Sequence, residues 1–252
     1  MSIHLVGGGS VVEQSVRIYG GFVVEAVQRA RDAGRAKPRI GVVQLHEKAT
    51  DSGAQLYAKF ERTLTELSPA ELVPFDLDEG DVLGSGQLGD LDALLVSGGL
   101  TPAYLTAVAL VAEEIKTLVD SGTPYLGFSA GAAIAARRAI IGGWKFGDLA
   151  FCDENNGEEL DELTVDDGLG LVDFAVDVHA AQWGNLGRPM MAVSNGLVER
   201  AVALDESTVW VTEGESGSVR GVGQAWWIER AVGGVTVRTG REPAPELTEL
   251  GE

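Results

Sequence analysis

The 252-residue chain holds one cysteine, Cys152, so no intramolecular disulfide can form and the fold does not depend on an oxidising compartment. Histidine is nearly as scarce, at His4, His46 and His179. No cluster of histidine and cysteine suggests zinc, and no metal is expected. Basic residues are short as well: 19 Lys and Arg stand against 38 Asp and Glu, for a formal net charge of −19. Such a chain offers no basic face for phosphates, so nucleic-acid partners are not expected. The same charge favours a solvated acidic surface. No apolar run approaches the ~20 residues of a membrane span, so no membrane association is expected. Met1 opens directly into Ile3-His4-Leu5-Val6, without a basic n-region or signal-peptide core, and the expectation is a cytoplasmic protein.

Glycine is abundant instead, with 34 residues, as tight turns and strand-to-helix junctions require. Strand-like apolar runs alternate with helix-length amphipathic segments. Strands are expected at Ile3–Val6, Arg39–Gln44, Leu72–Leu77, Asp92–Val96 and Pro124–Phe128. Helices are expected at Val16–Ala33, Gly53–Leu67 and Thr101–Val119, the last with Pro102 in its favoured first turn, and another begins at Ser129. This alternation predicts an α/β fold with a mostly parallel sheet and helices on both faces. Asp148–Asp167 reads as an exposed acidic excursion. Leu171–Val178 reads as a strand, and Ala180–Val193 as a helix interrupted at Pro189. The runs Ala201–Leu204, Thr208–Val211, Val219–Val222, Ala225–Ile228 and Val235–Val237 read as antiparallel strands appended to the sheet. Residues 1–238 are thus expected to form one domain, with 239–252 an acidic frayed tail.

The chemistry concentrates at Gly127-Phe128-Ser129-Ala130-Gly131. An apolar strand ends at Phe128 and small residues start a helix at once, the G-x-S-x-G pattern of a nucleophile elbow. A serine there projects its Oγ above the sheet, and the helix N-terminus favours developing negative charge. The same position suits a helix N-cap serine. A nucleophilic serine needs a base. His4 lies within a strand, whereas His46 and His179 each follow one and could reach the carboxyl-end rim, where open α/β sheets bind ligands. Gly7-Gly8-Gly9-Ser10 lacks the lysine of a P-loop and a full dinucleotide fingerprint, so it reads as a tight turn, and no cofactor is expected. Trp226-Trp227 reads as core or as a homodimer interface.

Three ordered motifs extend this reading: Val96-Ser97-Gly98-Gly99 before a helix, Gly127-Phe128-Ser129-Ala130-Gly131-Ala132, and Gly168-Leu169-Gly170-Leu171 leading to Asp177-Val178-His179. With Asp205-Glu206-Ser207-Thr208 they resemble, over residues 39 to 230, the cyanophycinase and aspartyl-dipeptidase (peptidase E-like) family of serine peptidases, whose fold is like that of class I glutamine amidotransferases and flavodoxin-like. The resemblance implies Ser129 as nucleophile, His179 as base and the amides of Gly99 and Ala130 as oxyanion hole. It places an acid between serine and histidine. Glu154 is favoured, with Asp148 and Asp153 as alternatives.

The family carries several arginines after the histidine. Here that segment is Ala180-Ala181-Gln182-Trp183-Gly184-Asn185-Leu186-Gly187-Arg188, in which only Arg188 keeps a basic match. The residues after the Gly-Gly turn are also changed, to Leu100 and Thr101. The pocket is therefore expected to be less basic and more apolar, with Gln182, Trp183, Arg188 and Thr101 as substrate contacts. The expected activity is a serine peptidase or amidase acting on a short peptide or amino-acid amide. The alternative is an inactive relative that binds a small acidic metabolite or peptide.

Overall fold

A computed structural model describes residues 2–46, 51–213 and 216–242. The chain begins with β1 (Ile3–Val6), α1 (Ser15–Asp32), β2 (Arg39–His46), α2 (Ser52–Leu67) and β3 (Glu71–Asp78). It continues through β4 (Ala93–Val96), α3 (Thr101–Val108), α4 (Ala112–Asp120), β5 (Tyr125–Phe128) and the single turn α5 (Ala130–Ala133). Then come β6 (Arg138–Gly142), the hairpin β7 (Lys145–Phe146) and β8 (Leu149–Ala150), β9 (Thr164–Asp167), β10 (Ala175–Asp177) and α6 (Gly187–Ser194). The final strands are β11 (Arg200–Leu204), β12 (Thr208–Glu213), β13 (Ser216–Gly221), β14 (Ala225–Ala231) and β15 (Gly234–Gly240).

The central sheet runs β13-β12-β1-β5-β4-β2-β3. Its five strands β1, β5, β4, β2 and β3 are parallel, and β12 and β13 extend it antiparallel. Strand side chains alternate between faces. Leu5, Val43, Leu94, Val96 and Tyr125 enter the layer formed with α3 and α5, while Val6, Val42, Leu95, Leu126 and Phe128 pack with α1 and α2. In α1 the residues Ile18, Tyr19, Phe22, Val23, Ala26 and Ala30 form the buried stripe that a 3.6-residue period demands. Burying a side chain such as Phe22 contributes about 1.5–3 kcal/mol.

The mostly parallel α/β sheet matches the expectation from sequence, but several elements differ. The helix expected over Thr101–Val119 tightens into a 3₁₀ turn at Ala109–Val111, which puts Val108 and Val111, three apart, on one buried face. The helix after Ser129 stops after one turn because other partners take its backbone. Leu169 N donates to Ile134 O, Leu171 N to Ala135 O and Arg137 N to Val172 O. Gly168 permits this approach, since a Cβ there would collide with the carbonyl of Ala136. Only Ala175–Asp177 of the expected strand Leu171–Val178 is extended in a sheet. The helix expected over Ala180–Val193 starts at Gly187, with Pro189 in its first turn, where a missing N–H costs nothing.

The late strands split between two sheets. β12 and β13 join the central one, whereas β14 and β15 pair with β10 and β11 in a four-stranded sheet ordered β10-β11-β14-β15. Thr239 and Gly240, assigned from sequence to the tail, belong to β15, and residues 243–252 lie outside the described residues. Among the described residues no helix is long and apolar enough to cross a membrane.

Candidate active site

Ser129 is the junction between β5 and α5. Its φ of 51° and ψ of −109° lie away from the regions open to ordinary L-residues, a backbone state that costs of order 1–3 kcal/mol. The surroundings enforce it. Ser129 N donates to Val6 O at 2.9 Å, continuing the ladder from β1, while Ser129 O accepts the amides of Ala132 and Ala133 at 2.9 and 3.0 Å. The flanking glycines have no room for a side chain. A Cβ on Gly127 would collide with the carbonyl of Gly131, and one on Gly131 with the carbonyl of Val96. We therefore expect Gly131→Ala to destabilise the fold by about 3 kcal/mol, since the obstructing atoms are backbone. Urea denaturation checks this, and a change within 0.5 kcal/mol would contradict the packing.

His179 faces Ser129, with the Ser129 Oγ to His179 Nε2 distance 2.8 Å. It follows β10 in a left-handed conformation, φ 54°, and its amide donates to Gly7 O at 3.0 Å. The glycine run after β1 makes this docking possible. A Cβ on Gly8 would fall within the imidazole of His179, and one on Gly7 within the carbonyl of Asp205. Gly8 O also accepts Ser207 N at 2.9 Å, and Gly7 N donates to Thr208 O at 2.9 Å. The loop between β11 and β12 is thereby fixed beside His179.

That loop supplies the carboxylate. Glu206 Oε1 lies 2.7 Å from His179 Nδ1. Glu154, favoured from sequence, instead opens an exposed 3₁₀ turn, Glu154–Asn156, which Asp153 caps by accepting Asn155 N at 2.9 Å. Asp148 is exposed between β7 and β8. The acidic excursion carries these three acids elsewhere, and the acid on His179 follows the histidine in the chain rather than preceding it. Glu206 was missed from sequence because strand pairing selects it. β10 and β11 are parallel, so Val178-His179 and Asp205-Glu206 must leave the sheet at the same rim.

Asp205 and Gln182 hold the loop in place. Asp205, 4% exposed, accepts Ala181 N and Trp226 Nε1 on Oδ1 and Gln224 N on Oδ2, at 3.1, 2.9 and 2.9 Å. Gln182 Oε1 accepts Glu206 N at 2.8 Å. Trp183 stacks on the His179 ring, centroids 3.9 Å apart and planes 6° from parallel. Gln182 and Trp183, expected to touch substrate, brace Glu206 and His179, and Trp183 remains 39% exposed.

Arg188 is not available to substrate. It is 3% exposed and donates to Gly143 O at 3.1 Å, to Asp177 Oδ1 at 3.4 Å and to Asn156 O. It ties the acidic excursion to β10 from inside. Thr101 is buried too, and its amide donates to Glu158 Oε2 at 2.9 Å. Of the other histidines, His46 pairs with Asp76 at 2.7 Å towards the β3 edge, and His4 meets Ser2 and Glu25. Burial pushes the Cys152 thiol up from its ordinary value, which disfavours its thiolate.

Electrostatics suit His179 to accept a proton. Burial lowers its pKa below 6.5, and the Glu206 hydrogen bond and charge only partly oppose this. Burial thus favours the neutral ring. The amides of Gly99 and Ala130, expected as the oxyanion hole, donate to no group among the described residues. Gly98, next to Gly99, lies against the serine: a Cβ there would sit 3.0 Å from Ser129 Cβ.

Solved structures share this architecture, two of them peptidases by name. One is a peptidase from an acI-B1 Actinobacterium, with a TM-score of 0.67 at 14% identity over 95% of this chain and 93% of that one. The other is a provisionally named peptidase E protein from Listeria monocytogenes EGD-e, with a TM-score of 0.51 at 14% identity over 88% of this chain and 98% of that one. At such identity the likeness establishes a common mixed α/β fold with a mostly parallel central sheet. No protein-family model and no curated protein sequence matches the chain.

Proposed function

We propose that the protein is a serine-dependent peptidase or amidase. One observation carries this reading: Ser129 Oγ, His179 and Glu206 are joined at 2.8 and 2.7 Å on a backbone held at positive φ. With Nδ1–H donating to Glu206, His179 presents an unprotonated Nε2 to the Ser129 hydroxyl. Attack of Oγ on a carbonyl passes the proton to Nε2, and His179 returns it to the leaving amine. Glu206 stabilises the imidazolium formed between these steps. The amides of Gly99 and Ala130 receive the oxyanion, each contributing about 3 kcal/mol to the transition state. The peptidases that share the fold support the reaction class, and the ordered sequence motifs support the peptidase E and cyanophycinase type. The burial of Arg188 argues for a short peptide or amino-acid amide without an acidic side chain held at that position.

Fluorophosphonate labelling tests the reading. Ser129 should be modified in the folded protein, and absence of the adduct by peptide mass spectrometry would refute the nucleophile. The acidic limb of the rate should have its midpoint at lower pH than a solvated histidine would give. Desolvation disfavours the imidazolium, so His179 stays an unprotonated base to lower pH than a solvated histidine. An acidic limb with its midpoint at or above that of a solvated histidine would contradict this reading.

A further inference from the structure

We infer that Tyr104 is a positioning residue that aims the Gly99 amide at the oxyanion; this rests on the proposed role of Ser129. Tyr104 lies on α3 and is fully buried. Its hydroxyl donates to Gly98 O at 3.2 Å and accepts from Leu45 N at 3.1 Å and from Gln44 Nε2 at 3.2 Å. Gln44 is also fully buried, and its Nε2 further donates to Leu45 O at 3.0 Å. The phenol thus links the end of β2 to the turn after β4.

The carbonyl of Gly98 and the N–H of Gly99 belong to one peptide unit. The described residues contain no cis peptide bond, so these two groups point in opposite directions. Whatever fixes the carbonyl fixes the N–H. This unit needs fixing, because a glycine on each side leaves it free of Cβ constraints, and Gly99 has φ 155°. A hydrogen bond to the carbonyl also polarises the peptide and strengthens its N–H as a donor. Tyr104 therefore acts on the oxyanion through Gly99, without touching substrate.

The test compares phosphonylation of Ser129 by a fluorophosphonate in the wild-type chain, Tyr104→Phe and Gln44→Leu, with KI and kinact separated. For Tyr104→Phe we expect kinact to fall about 10- to 100-fold, KI to stay within twofold, and the acidic limb set by His179 not to move. Gln44→Leu removes a donor to the phenol but leaves its bond to Gly98, so kinact should stay within twofold even if the melting temperature drops. A wild-type rate in Tyr104→Phe, a loss carried by KI, or equal losses in both variants would overturn the inference. If the wild-type chain is not labelled at Ser129, the nucleophile itself fails, an outcome distinct from these. Should Tyr104→Phe not fold, 3-fluorotyrosine at position 104 supplies a stronger donor of nearly the same shape. It should raise kinact, and an unchanged or lower rate would count against the inference.

Discussion

Ser129→Gly is expected to abolish hydrolysis and yet be about 1 kcal/mol more stable than Ser129→Ala. The activity loss is the larger effect, about 10⁶-fold in kcat, because no attacking oxygen remains. Both variants also lose the 2.8 Å bond to His179. The difference between them comes from the backbone. Alanine must keep φ 51° and ψ −109°, whereas glycine reaches such angles at little cost. Relief of about 1–3 kcal/mol outweighs the greater freedom of glycine in the unfolded chain, which returns about 0.4–1 kcal/mol. Denaturant unfolding of the two variants measures the difference directly. Equal stabilities would mean that the junction is not strained, and turnover by either variant would remove Ser129 from the chemistry.

The second large effect is expected for Glu206→Gln: a drop in kcat/KM of about 10⁴-fold with the fold intact. The amide can donate to Nδ1, which leaves the proton on Nε2, where it blocks acceptance from Ser129. Glu206 also raises the His179 pKa, by its hydrogen bond first and its charge second. Its removal should therefore shift the acidic limb of the residual activity further down in pH. Glu154→Gln, Asp153→Asn and Asp148→Asn should keep kcat/KM within twofold of wild type. A pH-rate series on the four variants decides the matter. Normal activity in Glu206→Gln together with a large loss in Glu154→Gln would return the role to the acid favoured from sequence.

The site was legible where it is local. At residues 127–131 the strand end, the serine and the two glycines lie within five positions, and the collisions that would expel a Cβ from Gly127 and Gly131 involve backbone only a few residues away or on the neighbouring strand. Gly7-Gly8-Gly9 was legible as a turn but not as the seat of His179, because its partner lies about 170 residues further along the chain. Arg188 and Thr101 were misjudged for a related reason. A polar residue near a motif looks the same in sequence whether it faces substrate or is sealed inside, and burial decides which.

By itself, then, the sequence determined the parallel α/β framework and the Ser129 elbow, since apolar periodicity and short-range sterics suffice for both. The choice of Glu206 belonged to tertiary structure. The parallel pairing of β10 with β11 brings positions 179 and 206 to one rim, and the glycines after β1 let both loops close on it. The braces Asp205 and Gln182 were settled in the same way, by hydrogen bonds between segments that only the folded sheets make neighbours, whereas Trp183 stacks on His179 from four residues along the same segment.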